Sequence, residues 1–308
     1  MEKRKGRRPQ GQRQRLSPVM TVCLTVLLLA GLLLCNLVRL YSAKRPAPAE
    51  DTLSVHFIDV GQGDSIYMHC GGTDILIDAG EREAGETVVQ YLQQQGVRSL
   101  DYVISTHPHS DHIGGLAKVL EEIPAEHVLV SDIPEEQLPL SASYERFLEA
   151  VAQASLTLEI VTPGTRYQLD KGAVLEILGP MGTDYESLNN YSLVARLTYG
   201  ENSFLFTGDM EEQAEKELLQ AQVLSPVDVL KVGHHGSSTS TRKKFLAAVS
   251  PRMAVIQCGD NSYNHPHSNT VERLAGYTDK IYRTDLQGTI VMESNGHSIQ
   301  VHWEREAA

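Results

Sequence analysis

Between Leu53 and Trp303, short apolar runs of strand type are broken by single amphipathic stretches. The number of those runs constrains the fold more tightly than any other feature of the chain. About thirteen are legible: LSVHFIDV, DSIYMHC and TDILIDAG in close succession, then LDYVIST, VLVSD, AVLEILGP, SLVARLTYG, NSFLFTGD, VDVLKVG, MAVIQCG, IYRTD, GTIVMES and HSIQVHW. Helices fall between them one at a time: ETVVQYLQQQG, with Val88, Val89 and Leu92 apolar and a glycine stop, then IGGLAKVLEEI, SYERFLEAVAQA, EEQAEKELLQ, RKKFLAAVS and SNTVERLAG. So many strands do not fit one parallel sheet. An α/β fold of two packed sheets with helices outside leaves each apolar face covered, and that is the expectation. No internal repeat or low-complexity tract interrupts this body.

The chain ahead of it is of another kind. Residues 1–40 hold eight Lys/Arg against the single acid Glu2, a balance of +7; with −12 for all 308 residues, the remainder carries −19. VMTVCLTVLLLAGLLLCNLV, Val19 to Val38, is twenty residues without a charge. At about 1.5 Å per residue it spans the roughly 30 Å hydrocarbon core of a bilayer. The expectation is a basic cytoplasmic segment over 1–17, a transmembrane helix or signal anchor over 18–40, a Pro/Ala linker over 41–52, and a domain over 53–303 outside the cell membrane, single-pass, by the positive-inside rule. The alternative is a cleaved signal peptide, whose apolar region is usually shorter, about 7–15 residues. Cys23 and Cys35 lie in the apolar run. Cys70 and Cys258 lie in the outer domain, where either a disulfide or two unpaired buried thiols would be in keeping.

THPHSDHIGG, Thr106 to Gly115, follows directly on the strand LDYVIST and crowds three histidines and an aspartate into six residues. Imidazole and carboxylate are the common ligands of Zn²⁺ and also suit Mn²⁺ or Fe. One loop can present His107 and His109 to one ion and Asp111 with His112 to a second. A lone histidine would read as structural, but four potential ligands in six residues do not. Later strand ends offer closing groups. Asp209 ends FLFTGD, where it is equally suited to cap the helix that follows. His234 and His235 follow VDVLKV, where a solvated turn is the plainer reading.

These residues resemble a known family. HPHSDH is similar to the HxHxDH motif of the metallo-β-lactamase fold, and THPHSDHIGG, FTGD and KVGHHGSSTS occur in that superfamily's order. FIDVGQGDS, ILIDAG, NNYSLVARL and NSYNHPH look specifically like the hydrolase domain of the ComEC/Rec2 competence proteins, over roughly residues 53–303. The resemblance implies a four-layer αβ/βα sandwich with two divalent ions, Zn or Mn, at the sheet edge. It assigns His107 and His109 to the first ion, Asp111 and His112 to the second, and Asp209 as the bridge. One histidine of the next pair completes the second ion; His234, which leaves the strand first, is preferred, with His235 left as a catalytic candidate. Many superfamily members carry a further histidine before the bridging aspartate. Here that region reads SLNNYSLV, and Asn190 is the expected substitute, as ligand or substrate-binding group.

The implied chemistry is attack on a phosphodiester by a hydroxide shared between the ions. Asp111 would orient it, and His265 would donate a proton to the leaving oxygen or bind a phosphate oxygen. His267 is expected to be exposed. Ser237 and Ser238 are candidates to hold the phosphate, or form an ordinary polar loop. Asp78, Asp59 and Asp64 are expected to orient ligands, with Gln62–Gly63 as a tight turn near the metals. Three functions compete: an extracellular-facing phosphodiesterase or nuclease; a hydrolase of a surface phosphoester such as teichoic acid or phosphocholine; and a non-catalytic binding protein. The intact motifs argue against the third. A nucleic-acid binder usually carries a basic face, whereas this domain is −19 and its most basic short run is TRKKF. A part in DNA uptake would call for a membrane-channel partner.

Overall fold

The computed structural model describes residues 52–305. Fifteen strands form two sheets among these residues. The first has the order β15-β14-β1-β2-β3-β4-β5-β6. Its members are β1 (Leu53–Phe57), β2 (Ile66–Cys70), β3 (Thr73–Ile77), β4 (Leu100–Ile104), β5 (Ala125–Val130), β6 (Leu158–Ile160), β14 (Ile290–Ser294) and β15 (Ile299–Trp303). The second runs β13-β12-β11-β10-β9-β8-β7. It contains β7 (Arg166–Gln168), β8 (Val174–Gly179), β9 (Val194–Tyr199), β10 (Asn202–Phe206), β11 (Val229–Lys231), β12 (Met253–Ile256) and β13 (Ile281–Arg283). Each sheet joins an antiparallel half to a parallel one: β3 to β6 are parallel in the first, β10 to β13 in the second.

Strand alternation builds the layers. Ile75, Ile77, Phe204, Phe206, Val229 and Val255 point into one buried cluster between the sheets, where the Phe57 and Phe206 rings meet at 6.3 Å. Their sequence neighbours point the other way. Leu76 packs under helices α1 (Gly85–Gln94), α2 (Leu116–Glu122) and α3 (Ala142–Gln153). Leu205, Leu230 and Ala254 pack under α4 (Glu212–Gln220), α5 (Lys243–Val249) and α6 (Ser268–Ala275). A one-residue slip would turn each strand's two apolar sets to the wrong layer, which fixes the register. Full burial of such side chains stabilises by about 1.5–3 kcal/mol each. The result is helix, sheet, sheet, helix: the two-sheet α/β sandwich expected of the metallo-β-lactamase fold.

Two strands exceed the thirteen legible in the sequence: β6 and β7, of three residues each. The expected membrane segment over 18–40, with its flanks, lies outside the described residues. Among the described residues no helix is long and apolar enough to cross a membrane. Cys70 and Cys258 are both buried and free, so the unpaired alternative holds.

Candidate metal centre

The chain leaves the parallel halves of both sheets at one edge, outside the carboxyl ends of the strands, where open α/β sheets place ligands. After β4 come His107, 1% exposed, and then a one-turn helix, Ser110–Ile113, that carries Asp111 and the fully buried His112. Two glycines let this loop sit deep. A Cβ on Gly115 would lie 2.2 Å from the Ala79 carbonyl, and one on Gly63 (φ +141°) 2.4 Å from the Asp111 carbonyl. Asp64 N donates to that same carbonyl at 3.1 Å.

After β10, Asp209 enters the cluster, 2% exposed. Its Oδ1 lies 3.2 Å from His112 Nε2, and its Oδ2 lies 3.4 Å from His235 Nε2 and 4.0 Å from His107 Nε2. His235 Nε2 is also 3.2 Å from Asp111 Oδ2. Asp111, His112, Asp209 and His235 thus offer four ligand atoms within 4.8 Å of one another, a group able to hold a metal ion. His112 Nε2, Asp209 Oδ1 and His235 Nε2 are all buried without a hydrogen-bond partner. Buried polar atoms are rarely left so, and a cation among them would satisfy all three. The residues therefore fit a metal. His107 and His109 stand beside them, His107 Nε2 to His109 Nδ1 at 3.0 Å.

Of the adjacent pair, His235 and not His234 stands in this close group. Both His234 and His235 adopt positive φ, 50° and 51°, and the tight turn sends their rings apart. His235 turns inward, 1% exposed, while His234 stays at the rim, 21% exposed, its Nδ1 3.4 Å from Glu211 Oε1 and its Nε2 3.7 Å from Asp209 Oδ2. The bond to His234 holds Glu211 down at about 2. Asn190 Oδ1 accepts from Glu211 N (3.1 Å) and Ala214 N (3.3 Å), so it closes the start of α4. Asn189 faces the rim instead, 3.4 Å from His234 Nδ1. Ser237 is 4% exposed and its hydroxyl lies 3.0 Å from that of Thr239; Ser238 is exposed.

Supporting groups fix the ligands. Asp78, fully buried, accepts from His112 Nδ1 (2.8 Å), Thr106 Oγ1 (2.6 Å) and Thr106 N (2.9 Å), which leaves His112 Nε2 facing the cluster. His235 Nδ1 donates to the Gln257 carbonyl (2.9 Å) and lies 3.3 Å from Asp64 Oδ1. Asp64 pairs with the buried Lys231 ammonium at 2.6 Å. Asp64, Asp78 and His112 also cluster closely, but with Lys231 on Asp64 and His112 bonded to Asp78 they form a hydrogen-bonded support. Asp59 takes no part, paired at 2.6 Å with Arg305. Gln62 accepts from Gly259 N at 3.4 Å. His267 is half-buried and caps α6, accepting from Asn269 N. Lys231, Thr106 and Ser192, whose hydroxyl accepts from Asp209 N at 3.0 Å, were not singled out by sequence. Lys231 had a signal: a lysine inside an apolar strand must be paired if buried.

The charges are strongly linked. Burial opposes charge on His112, but Asp209, Asp78 and Asp111 outweigh it and hold this imidazole well above its ordinary value. Burial likewise opposes charge on His235, and Asp209 with Asp111 and Asp64 lifts it. Burial would raise Asp209 and Asp111; the neighbouring histidines outweigh it and hold both low. His107 and His109 are pushed down, by burial first and then by His112. His265 is half-buried, its ring 5.1 Å from that of His234 and 6.4 Å from that of His235. Burial and those two rings push it down to about 4.

Known proteins resemble this chain in sequence and in fold. The metallo-beta-lactamase superfamily model matches residues 58–260. The chain is 33% identical over 256 residues to ComE operon protein 3 of Bacillus subtilis, covering 77% of this chain and 32% of that protein. It is also 33% identical over 287 residues to competence protein ComA of Neisseria gonorrhoeae, covering 88% of this chain and 38% of that one. The chain therefore spans about a third of the length of these curated relatives. Among solved structures, the metallo-beta-lactamase fold protein YhfI from Bacillus subtilis matches with a TM-score of 0.53 over 79% of this chain and 100% of that one, at 14% identity, a likeness of fold alone.

Proposed function

The chain belongs to the metallo-beta-lactamase superfamily, whose fold generally serves metal-dependent hydrolases, and we propose that it is a metal-dependent phosphodiesterase of the nuclease type. The observation that carries this is the convergence of three buried ligand atoms that make no aligned hydrogen bond, from His112, Asp209 and His235, with Asp111 beside them. These four would hold one divalent ion, Zn or Mn; His107 and His109, sharing Asp209, would hold a second. Bound there, such ions supply Lewis acidity at a phosphoryl oxygen and lower the pKa of water. The chain's own groups do the rest. Asp78 and Thr106 orient His112. The Gln257 carbonyl and the Lys231–Asp64 pair orient His235, and His265 with His234 lines the rim where a phosphate oxygen would lie. The choice of a phosphodiester over another ester is supported by the similarity to competence protein ComA. The experiment is a side-by-side assay of the full-length chain, loaded with Zn²⁺ or Mn²⁺, on bis-p-nitrophenyl phosphate, single-stranded DNA, teichoic acid and nitrocefin. The first two should be cleaved. Turnover of teichoic acid alone would replace this reading with the surface-polymer one, and no turnover of any would leave a binding protein.

The uncharged run Val19–Val38 behind a +6 segment supports a membrane anchor with the hydrolase domain outside the cell. Protease added to intact cells should then release a fragment of that domain; full protection would reject this orientation. A role in DNA uptake beside a membrane-channel partner is supported by the same similarity to ComA, and a deletion strain that takes up DNA at the parental rate would exclude it.

A further inference from the structure

The described domain is acidic, yet one cleft in it is not. Between α4, α5 and α6 lies a cleft of about 310 Å³ whose walls carry Lys216, Arg242, Lys243, Lys244 and Arg273. Its two carboxylates are already engaged. Glu215 is buried, accepts from the backbone N–H groups of Thr241 and Arg242, and is pushed up to about 7 by burial. Glu212 is shared between Lys216 (2.8 Å) and Arg242 (3.3 Å). Arg273 braces the wall, donating to the carbonyls of Thr241 (3.1 Å) and Ser240 (3.0 Å). Lys243 and Lys244 are exposed and make no ion pair with a carboxylate among the described residues, so two ammonium groups are left for a ligand.

The cleft is tied to the metal centre by a single loop, His234 to Arg242. At one end Thr239 Oγ1 lies 3.3 Å from His234 Nδ1 and donates to Glu211 Oε1 at 2.8 Å. At the other, Arg242 Nη1 donates to the Ser238 carbonyl at 2.9 Å. Glu211 faces the metal centre, and its neighbour Glu212 faces the cleft. We infer that this cleft is a second anion site, which takes a phosphate of the phosphodiester strand whose scissile phosphate lies at the metal centre. The inference rests on the phosphodiesterase reading and names how a strand, as opposed to a small diester, is held.

The test uses the exposed lysines, whose replacement leaves the core and the metal ligands untouched. Binding of a labelled single-stranded oligonucleotide to the full-length chain is measured in chelator, where nothing is cleaved, over a range of salt. Lys243→Glu with Lys244→Glu should raise the Kd about tenfold at low salt and flatten the log–log salt slope by about two. With metal restored, kcat/KM for bis-p-nitrophenyl phosphate should be unchanged. An unaltered Kd and salt slope would overturn the inference, as would a loss seen only with phosphatidylglycerol vesicles, which would make the patch a membrane contact. Weakened oligonucleotide binding in a chain that cleaves no phosphodiester would uphold the cleft and reject the phosphodiesterase.

Discussion

Asp209→Asn should lower phosphodiester cleavage by at least about 10³-fold while the circular dichroism spectrum stays that of the parent. Asp209 approaches both halves of the centre, with His112 and His235 on one side and His107 on the other. Asparagine keeps its shape, removes its charge, and can turn an N–H₂ group toward the site. Lewis-acid stabilisation contributes several kcal/mol, and about 1.4 kcal/mol is a decade in rate. Asp111→Asn should act in the same direction, since Asp111 closes the group opposite His235. Activity within about tenfold of the parent in the Asp209 variant, too small a loss for a group that holds the ion, would show that the metals lie elsewhere.

The metal-free protein should lose stability as pH rises above neutrality, and the loaded protein should not. His112 and His235 bind protons more tightly folded than unfolded. The stability this gives is fully present below the unfolded value of 6.5 and drains as pH rises through the folded values. Asp209 and Asp111, held low, act in the opposite sense: their contribution is present above 3.8 and lost as pH falls. The metal-free chain should thus be most stable at mildly acid to neutral pH, with Tm falling on the order of 5–10 °C between pH 7 and 10. Bound Zn²⁺ takes the place of those protons, so its affinity rises with pH and the alkaline loss should vanish. A metal-free Tm that is flat or rising across that interval would contradict the protonation pattern.

Much of this was legible in the sequence because the side-chain period of a strand is two. Ile75-Leu76-Ile77 and Phe204-Leu205-Phe206 declare two buried faces, which the layered sandwich satisfies. β6 (LEI) and β7 (RYQ) have no fully buried position, and their letters carry too little apolar pattern to be seen. The ligand loop was legible because THPHSDH crowds its donors into one turn. The choice between His234 and His235 was not: adjacent residues on a loop differ only in backbone dihedrals, and the left-handed turn that sends His235 inward has no mark in the letters HH. Asn190 and Asn189 posed the same problem. Asn190 faces the open amides of a helix that begins twenty-two residues later, a contact that sequence separation hides.

The central claim is that Asp111, His112, Asp209 and His235 hold the metal on which cleavage depends. Its most direct test is to strip the full-length chain with chelator, then follow metal content and bis-p-nitrophenyl phosphate hydrolysis in the same samples as Zn²⁺ or Mn²⁺ is returned, with the His235→Ala chain beside it. The rate should vanish with the metal and return in step with bound ion, and the variant should bind the ion weakly and recover little. A rate that persists in metal-free protein, or a His235→Ala chain that recovers fully, would contradict it.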